Sequence, residues 1–409
     1  MDKGVDSLRI GVVGLGYVGL VTAAVLANQG HQVVGVDTDK KKIEKLKNNI
    51  SPLFEPQLSD YFSRNNIVYS DDYASIENSE AVFVCTPTPT VNGRIETRYV
   101  EESCSNIARV NGDCTIIIKS TVVPGTARRI RQITGRPIIS NPEFTREGSA
   151  VSDTEKPDRI VIGGEEGAIV EEIWSFTGAP VIRTTNENAE LIKYASNAFL
   201  AMKISFINEI ADLCERIPGA DVETVAKGMG YDRRIAPYFL KAGIGYGGSC
   251  FPKDTQALAS FGRDLGVSLS LVESTISVNE ARVRHATELI DGEMRIRSLG
   301  KICVLGITFK DNTDDIRESR PLDLVRALLV LGYEVSVYDP VFSGSVSGVK
   351  NCSNLYDCVQ QSDAVAVATE WDEFRSIESM GLTKPVFDLK RLLDGTRFTV
   401  YRGTGLWKE

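Results

Sequence analysis

Residues 8–27 are almost wholly apolar, yet glycines at positions 11, 14, 16 and 19 punctuate them. Glycines so closely spaced argue against a membrane span or a signal segment, and a second β-like run at 31–37 follows at once. A buried strand, a tight turn and a helix fit the pattern instead, so no membrane role is expected. Gly14-Leu15-Gly16-Tyr17-Val18-Gly19 then reads G-x-G-x-x-G, set directly after a strand and opening a helix. In that setting Gly14 permits the turn, Gly16 lets backbone approach a pyrophosphate, and Gly19 lets the helix pack on the strand. The helix N-terminus faces the negative charge. Asp37 closes the next strand, 18 residues after Gly19. A carboxylate there accepts hydrogen bonds from adenosine ribose hydroxyls and repels a 2′-phosphate, so NAD is expected rather than NADP.

The same texture continues. Strands are expected at 8–13, 32–36, 81–85, 115–119, 137–140 and 160–162, with a crossover helix at 17–29, which implies a doubly wound α/β domain on a parallel sheet. At 187–216 it changes: Gly and Pro are absent until Pro218, while Ala189, Ile192, Ala195, Ala198, Phe199, Met202, Phe206, Ile210 and Leu213 recur at helical spacing. So long a helix must bury its stripe, either by bridging two α/β domains or by meeting a second copy of the chain. Residues 253–294 look helical as well. The β/α pattern restarts at Lys301, with strands at 302–305, 334–338, 364–368 and 386–387 and a helix at 322–331. The expected fold is therefore two Rossmann-like doubly wound domains, 1–186 and 297–409, joined by an α-helical connector at 187–296.

A net charge of −9 over 409 residues excludes a surface that coats nucleic acid but leaves room for a small phosphorylated ligand. Cysteines stand at 85, 104, 114, 214, 250, 303, 352 and 358, none in a C-x-x-C pair, and the two histidines, His31 and His285, are far apart. Zinc-ligand spacing is absent. Reduced thiols in a cytoplasmic protein are the simpler expectation, most of them serving as small buried apolar side chains.

One cysteine is placed differently. Residues 245–254 read Gly-Tyr-Gly-Gly-Ser-Cys-Phe-Pro-Lys-Asp, a glycine-rich loop that delivers Cys250 just before Pro252, a residue favoured in a first helical turn. A thiol at a helix N-terminus near Lys253 is expected to be partly thiolate, hence a candidate nucleophile. On this argument alone a buried structural cysteine is the commoner fate.

GLGYVGL at 14–20, STVVPGT at 120–126, NPEFTREG at 141–148, GIGYGGSCFPKD at 243–254 and FKDNTDDIRES at 309–319 together resemble the UDP-glucose/GDP-mannose dehydrogenase family. They occur in that family's order and run from the first strand into the last domain. The resemblance implies that the N-terminal domain holds NAD, the C-terminal domain a nucleoside diphosphate, and that the sugar lies between. Its primary alcohol at carbon 6 would be oxidised twice, through a thiohemiacetal and a thioester on Cys250, and released as the acid.

The same resemblance implies roles for single residues. Lys193 and Asn197 lie i, i+4 on one face of the long helix and would stabilise oxyanions on the substrate; a polar stripe on a solvated helix face is the plain alternative. Asp254 would orient or activate a water that Thr121 also holds, and Glu147, less directly Glu143, would assist proton transfer. Cofactor contacts carry over to Tyr17, Val18, Thr86, Pro87, Thr121, Glu147 and Arg317, the guanidinium reaching the pyrophosphate. Phe144, Tyr238, Phe239, Lys241, the backbone around Gly243, Tyr246 and Gly247, and Lys310 would line the substrate. Arg234 matches an arginine supplied across a homodimer interface. Where the family reads Asp-Gly-Arg this chain has Asp388-Leu389-Lys390-Arg391, so Lys390 would offer only a point charge, and Arg391 is the possible substitute.

Within the family, AGIGYGGSCFPKD is similar to the UDP-glucose branch, whose product is UDP-glucuronate, a polysaccharide precursor. GDP-mannose enzymes tend to read FAFGGSCLPKD, which makes GDP-mannose the alternative substrate. Two readings of other classes are a one-step 3-hydroxyacid-type dehydrogenase, which needs neither Cys250 nor the last domain, and a non-catalytic nucleotide-sugar sensor.

Overall fold

The computed structural model describes residues 7–64, 67–91 and 93–407. The chain divides into two compact units, Met1–Ser196 and Asn197–Glu409.

The first unit runs β1 (Arg9–Val13), α1 (Tyr17–Asn28), β2 (Gln32–Val36), α2 (Lys40–Lys47), α3 (Leu58–Arg64), β3 (Val68–Ser70), β4 (Ala81–Val84), a hairpin of β5 (Thr90–Val91) and β6 (Arg94–Ile95), and α4 (Arg98–Val110). It continues through β7 (Thr115–Ile118), α5 (Thr126–Thr134), β8 (Ile138–Ser140), α6 (Ala150–Glu155), β9 (Ile160–Gly163), α7 (Ala168–Ile173) and β10 (Val181–Thr184). Sheet order is β10-β9-β8-β7-β4-β1-β2-β3. From β3 to β8 the strands are parallel and reverse their winding between β1 and β4, the place where doubly wound sheets open a crevice at their carboxyl ends. The central strands are apolar on both faces because helices cover both: in β4, Phe83 joins one core with Leu20, Ala24 and Trp174, while Val82 and Val84 join another with Val100, Ile107 and Ile130. One expectation is corrected. β9 pairs antiparallel with β8, and β10 runs parallel to β9, so the far edge of the sheet is reversed. The glycine-punctuated segment resolves into β1, a turn and α1, and among the described residues no helix is long and apolar enough to cross a membrane.

The helix α8 (Asn186–Cys214) crosses the division between units. Beyond it come α9 (Val222–Gly230), α10 (Phe251–Asp264), α11 (Ser270–Ile296), β11 (Lys301–Leu305), α12 (Arg320–Val330), β12 (Glu334–Tyr338), β13 (Lys350–Asn351), α13 (Leu355–Gln360), β14 (Ala364–Val367), β15 (Val386–Asp388) and β16 (Tyr401–Gly403). All six strands are parallel in the order β13-β12-β11-β14-β15-β16, the same winding as the first sheet's parallel core. Ile290 and Met294 of α11 pack with Leu324 and Leu328 of α12 against Ile302 and Val304 on one sheet face. Cys303 and Leu305 belong to the opposite core with Val365 and Phe374.

The expectation of uniformly reduced thiols is corrected for one pair: Cys303 on β11 and Cys358 on α13 form a disulfide, their Cα atoms 5.8 Å apart and both side chains fully buried. Helix α13 packs its buried face on the strand beside it, and that brings the two positions within bridging range. The other six cysteines are free.

Candidate active site

The nucleotide loop has the geometry its glycines foretold. Gly14 has φ 88°, and a Cβ there would meet the Cys85 and Thr86 backbone at 2.8 Å. A Cβ on Gly19 would strike the Gly14 carbonyl, whereas one on Gly16 would meet nothing within 4 Å. The middle glycine therefore faces open space above the uncapped N-terminus of α1, which carries no acid in its first turn. Asp37 Oδ2 accepts from Leu15 N at 2.8 Å and from Lys42 Nζ at 2.6 Å, so the carboxylate is set in place by the loop itself. Across the crevice, the Thr86 hydroxyl is buried and has no hydrogen-bond partner among the described residues. An open glycine, an uncapped helix end and an unsatisfied hydroxyl at the sheet's reversal suit a dinucleotide.

The same unit gathers a second set of groups. Lys193 Nζ meets Glu143 Oε1 at 2.9 Å, with both side chains almost fully buried. Burial opposes ionisation of Glu143, but Lys193 and the Thr145 amide and hydroxyl outweigh it and hold the carboxyl below the usual range. Two cations lie near the Phe144 ring: the Arg159 guanidinium carbon is 3.6 Å from its centroid and Lys193 Nζ 5.4 Å. Thr121 lines a small cavity together with Lys193. Glu147 precedes Gly148, whose amide donates to Glu55 Oε2 at 2.7 Å and to the Tyr17 hydroxyl at 2.8 Å.

In the second unit, Cys250 is the N-cap residue of α10 with Pro252 inside the first turn, and it is partly buried with its Sγ 3.6 Å from Ser249 Oγ. Asp254, one turn on, is 1% exposed and takes Asn197 Nδ2 at 2.6 Å and Lys253 Nζ at 2.7 Å. Lys193 and Asn197 are thus buried, and a solvated helix stripe is excluded for both. Lys241 and Lys390 converge on Glu370, at 2.9 and 3.1 Å. Burial disfavours the Glu370 carboxylate, but the two lysines hold its pKa down at about 2. Gly243 lies against Lys390: a Cβ there would touch Leu389 O at 2.9 Å and Lys390 Cδ at 3.4 Å.

Other expected residues lie apart or face elsewhere. Tyr246 is 6% exposed, its ring edge-on to Phe251, so only its backbone can line a ligand. Phe239, at φ 62°, packs on Phe251, whereas Tyr238 is largely exposed. A Cβ at Gly247 would strike the Glu318 carbonyl. Lys310 Nζ lies 5.9 Å from the Phe309 ring. Arg317 forks onto Asp315 and Arg234 onto Asp232, both arginines mostly exposed. Arg391 does not stand in for the missing family arginine: its guanidinium is committed to Asp221 at 2.8 Å and Glu223 at 3.0 Å.

Sequence reasoning missed four acids and bases that the fold brings in. Glu55, Lys119, Glu190 and Glu370 sit on unremarkable stretches, and only the partners that folding gives them mark them out. Lys119 is 6% exposed over the Trp174 ring, and burial, helped by Lys193, lowers its pKa. Its lysine followed by Ser120-Thr121 at a strand end was the one available signal.

Three consecutive family models match the chain: the NAD binding domain of the UDP-glucose/GDP-mannose dehydrogenase family at 8–176, its central domain at 187–281 and its UDP binding domain at 303–395. UDP-glucose 6-dehydrogenase of Rhizobium meliloti is 41% identical over 403 residues, covering 91% of each chain. UDP-glucose 6-dehydrogenase TuaD of Bacillus subtilis is 40% identical over 393 residues, covering 90% of this chain and 85% of the relative. The solved structure of a UDP-glucose dehydrogenase from the hyperthermophilic archaeon Pyrobaculum islandicum superposes with a TM-score of 0.92 at 34% identity, over the whole of both chains.

Proposed function

The chain belongs to the UDP-glucose/GDP-mannose dehydrogenase family and is an NAD-dependent oxidoreductase, and on that premise we propose that it oxidises UDP-glucose to UDP-glucuronate through a thioester on Cys250. The observation that carries the substrate is the likeness to UDP-glucose 6-dehydrogenases over nine-tenths of the chain. The observation that favours the nucleophile is Cys250 itself, only partly buried at the N-terminus of α10 and one turn from a buried Asp254–Asn197 pair.

Gly14, Gly16 and the N-terminus of α1 would hold the pyrophosphate of NAD, Asp37 the adenosine ribose, and Val18, Thr86 and Pro87 the walls around it. Two molecules of NAD, bound in turn, would each supply the acceptor for one hydride, the first from the alcohol and the second from the cysteine adduct. As the C6 alcohol loses its hydride, its proton passes to a carboxylate, with Glu147 assigned this task and Glu143 occupied by Lys193. Lys193 and Asn197 stabilise negative charge on the C6 oxygen. The Cys250 thiolate adds to the aldehyde carbon, and the resulting oxyanion takes back the proton held by Glu147 to give a thiohemiacetal; loss of a second hydride, with the hydroxyl proton returned to the carboxylate, leaves the thioester. Asp254 then takes a proton from water as the water's oxygen attacks, and the C–S bond breaks to return the thiolate and the acid. Lys241, Lys310 and Lys390, with Arg317, meet phosphates, Lys390 as a point charge.

The domain division at 186 and 296 and a homodimer through α8 belong to the same proposal. Phe199, Phe206 and Leu213 stand one heptad apart on α8 and are 59%, 46% and 56% exposed, an apolar stripe suited to the same stripe of a second copy. Arg234, exposed on its loop, would then act across that interface.

Initial rates with UDP-glucose and with GDP-mannose test the substrate. UDP-glucose is expected to reduce NAD with a kcat/KM at least about a hundredfold higher. The reverse preference contradicts the assignment.

A further inference from the structure

Glu190 lies on α8 one turn before Lys193 and is 3% exposed. Its Oε2 accepts from Gly125 N at 2.6 Å and its Oε1 from Ala127 N at 2.8 Å, with Ser140 Oγ at 3.5 Å. Gly125, at φ 93°, is the N-cap residue of α5 and has no side chain with which to cap it. A carboxylate from another helix therefore closes the first turn of α5. The segment it grips is the end of STVVPGT, the loop that carries Thr121. The same carboxylate lines one small cavity with Thr121 and Lys193, whose wall also includes Ile118, Val122 and Ser140.

We infer that Glu190 is a positioning residue for the oxidation: by gripping the first turn of α5 it fixes the Thr121 loop against α8, so that Thr121 and Lys193 face the same cavity. The inference rests on the roles given above to Thr121 and Lys193. The grip needs both carboxylate oxygens as acceptors. A protonated carboxyl turns one of them into a donor facing a backbone N–H, and one of the two bonds is lost. Burial pushes Glu190 up to about 7, and Glu187 adds to the shift while the two amides oppose it. The other charges around it are Lys193 on the same helix, neutralised by Glu143, and Arg128 of α5, paired with Glu187. The grip is thus complete above neutrality and released below it.

The test compares wild type, Glu190→Gln, the shorter Glu190→Asp and the control Glu187→Gln, which lies on the same helix but not on the cavity. For each, kcat and KM are measured with UDP-glucose and NAD across neutral pH, beside the melting temperature. The wild-type kcat is expected to rise with pH through about 7. In Glu190→Gln it should be at least about tenfold lower above neutrality and lose that limb, with KM for NAD within about twofold, since misplacement near the reacting atoms acts on kcat. Glu187→Gln should keep the wild-type kcat above neutrality, with its pH limb moved only toward lower pH because the charge that helps raise Glu190 is gone. A folded Glu190→Gln or Glu190→Asp enzyme with wild-type kcat overturns the inference, as does a loss that merely follows the unfolded fraction. Should neither variant fold, a wild-type kcat flat across neutral pH overturns it equally. A wild type inert toward every nucleotide sugar would instead remove the functional reading beneath it.

Discussion

Lys193 and Glu143 form a buried ion pair, and such a pair is costly to break but not to replace. Lys193→Met leaves the Glu143 carboxylate buried without its cation, and we expect a loss of about 3–5 kcal/mol in unfolding free energy. Adding Glu143→Gln removes that orphaned charge and should restore much of the stability. Activity should stay at least about a hundredfold down in both, because the proposed oxyanion partner is still missing. Denaturant titration and initial rates on the single and double variants separate the two effects, and recovery of activity with stability would assign Lys193 to structure alone. The pair was half legible. The i, i+4 spacing put Lys193 and Asn197 on one face, but nothing in the spacing said that the face is buried or that Glu143, 50 residues away, fills it. Glu370 makes the same point in the second unit. Its partners Lys241 and Lys390 are expected from the sequence to contact the substrate, and the acid that gathers them was invisible because its sequence neighbours say nothing about them. Lys241 and Lys390 hold its pKa low in the fold, so the stability it contributes is present above its unfolded value and lost as pH falls from about 4.5 toward 2. Glu370→Gln should flatten the fall in urea midpoint over that acid range. An unchanged slope would mean that the two lysines do not depend on it.

At the scale of elements, the strand–turn–helix opening was fully readable, since the turn needs glycine at fixed places and the flanking runs are apolar. The predicted strand at 32–36 matches β2 residue for residue, and that at 334–338 matches β12. The short edge strands β13 and β16 and the strand β10 were not, nor was the reversed direction of β9, whose strand at 160–162 was expected. Lys350–Asn351 is polar and exposed, and strand direction leaves no trace in side-chain pattern. Nor was the link from α1 to α6 readable. Glu55 is buried on a loop, takes the Tyr17 hydroxyl, and accepts the Gly148 and Ala150 amides at 2.7 and 2.8 Å, which ties the nucleotide loop to the turn after Glu147. Glu55→Gln keeps an acceptor for one amide only. We expect a melting temperature lowered by a few degrees, equivalent to about 1–2 kcal/mol, and a weaker NAD affinity. Wild-type affinity measured by fluorescence titration would show that the two loops are held independently.

For the whole molecule, two sheets of the same winding, each reversing between its first and fourth strands, provide two crevices, one for each nucleotide in the proposal. The Cys303–Cys358 bridge lies in the core of the second sheet and closes a 55-residue separation. By chain entropy it stabilises that unit by about 4 kcal/mol, and the double alanine variant should unfold earlier by that amount while keeping kcat. Thiol labelling under denaturing conditions without reductant should find six reactive cysteines, and eight would contradict the bridge. The central claim concerns a different cysteine. NADH formed per UDP-glucose consumed, in wild type and Cys250→Ser, tests it most directly. Two hydride transfers separate an alcohol from an acid, so wild type should yield two NADH per sugar, and the serine variant should stall because its hydroxyl is a far poorer nucleophile than a thiolate. One NADH per sugar, unaffected by the substitution, would contradict the thioester route and leave a one-step dehydrogenase.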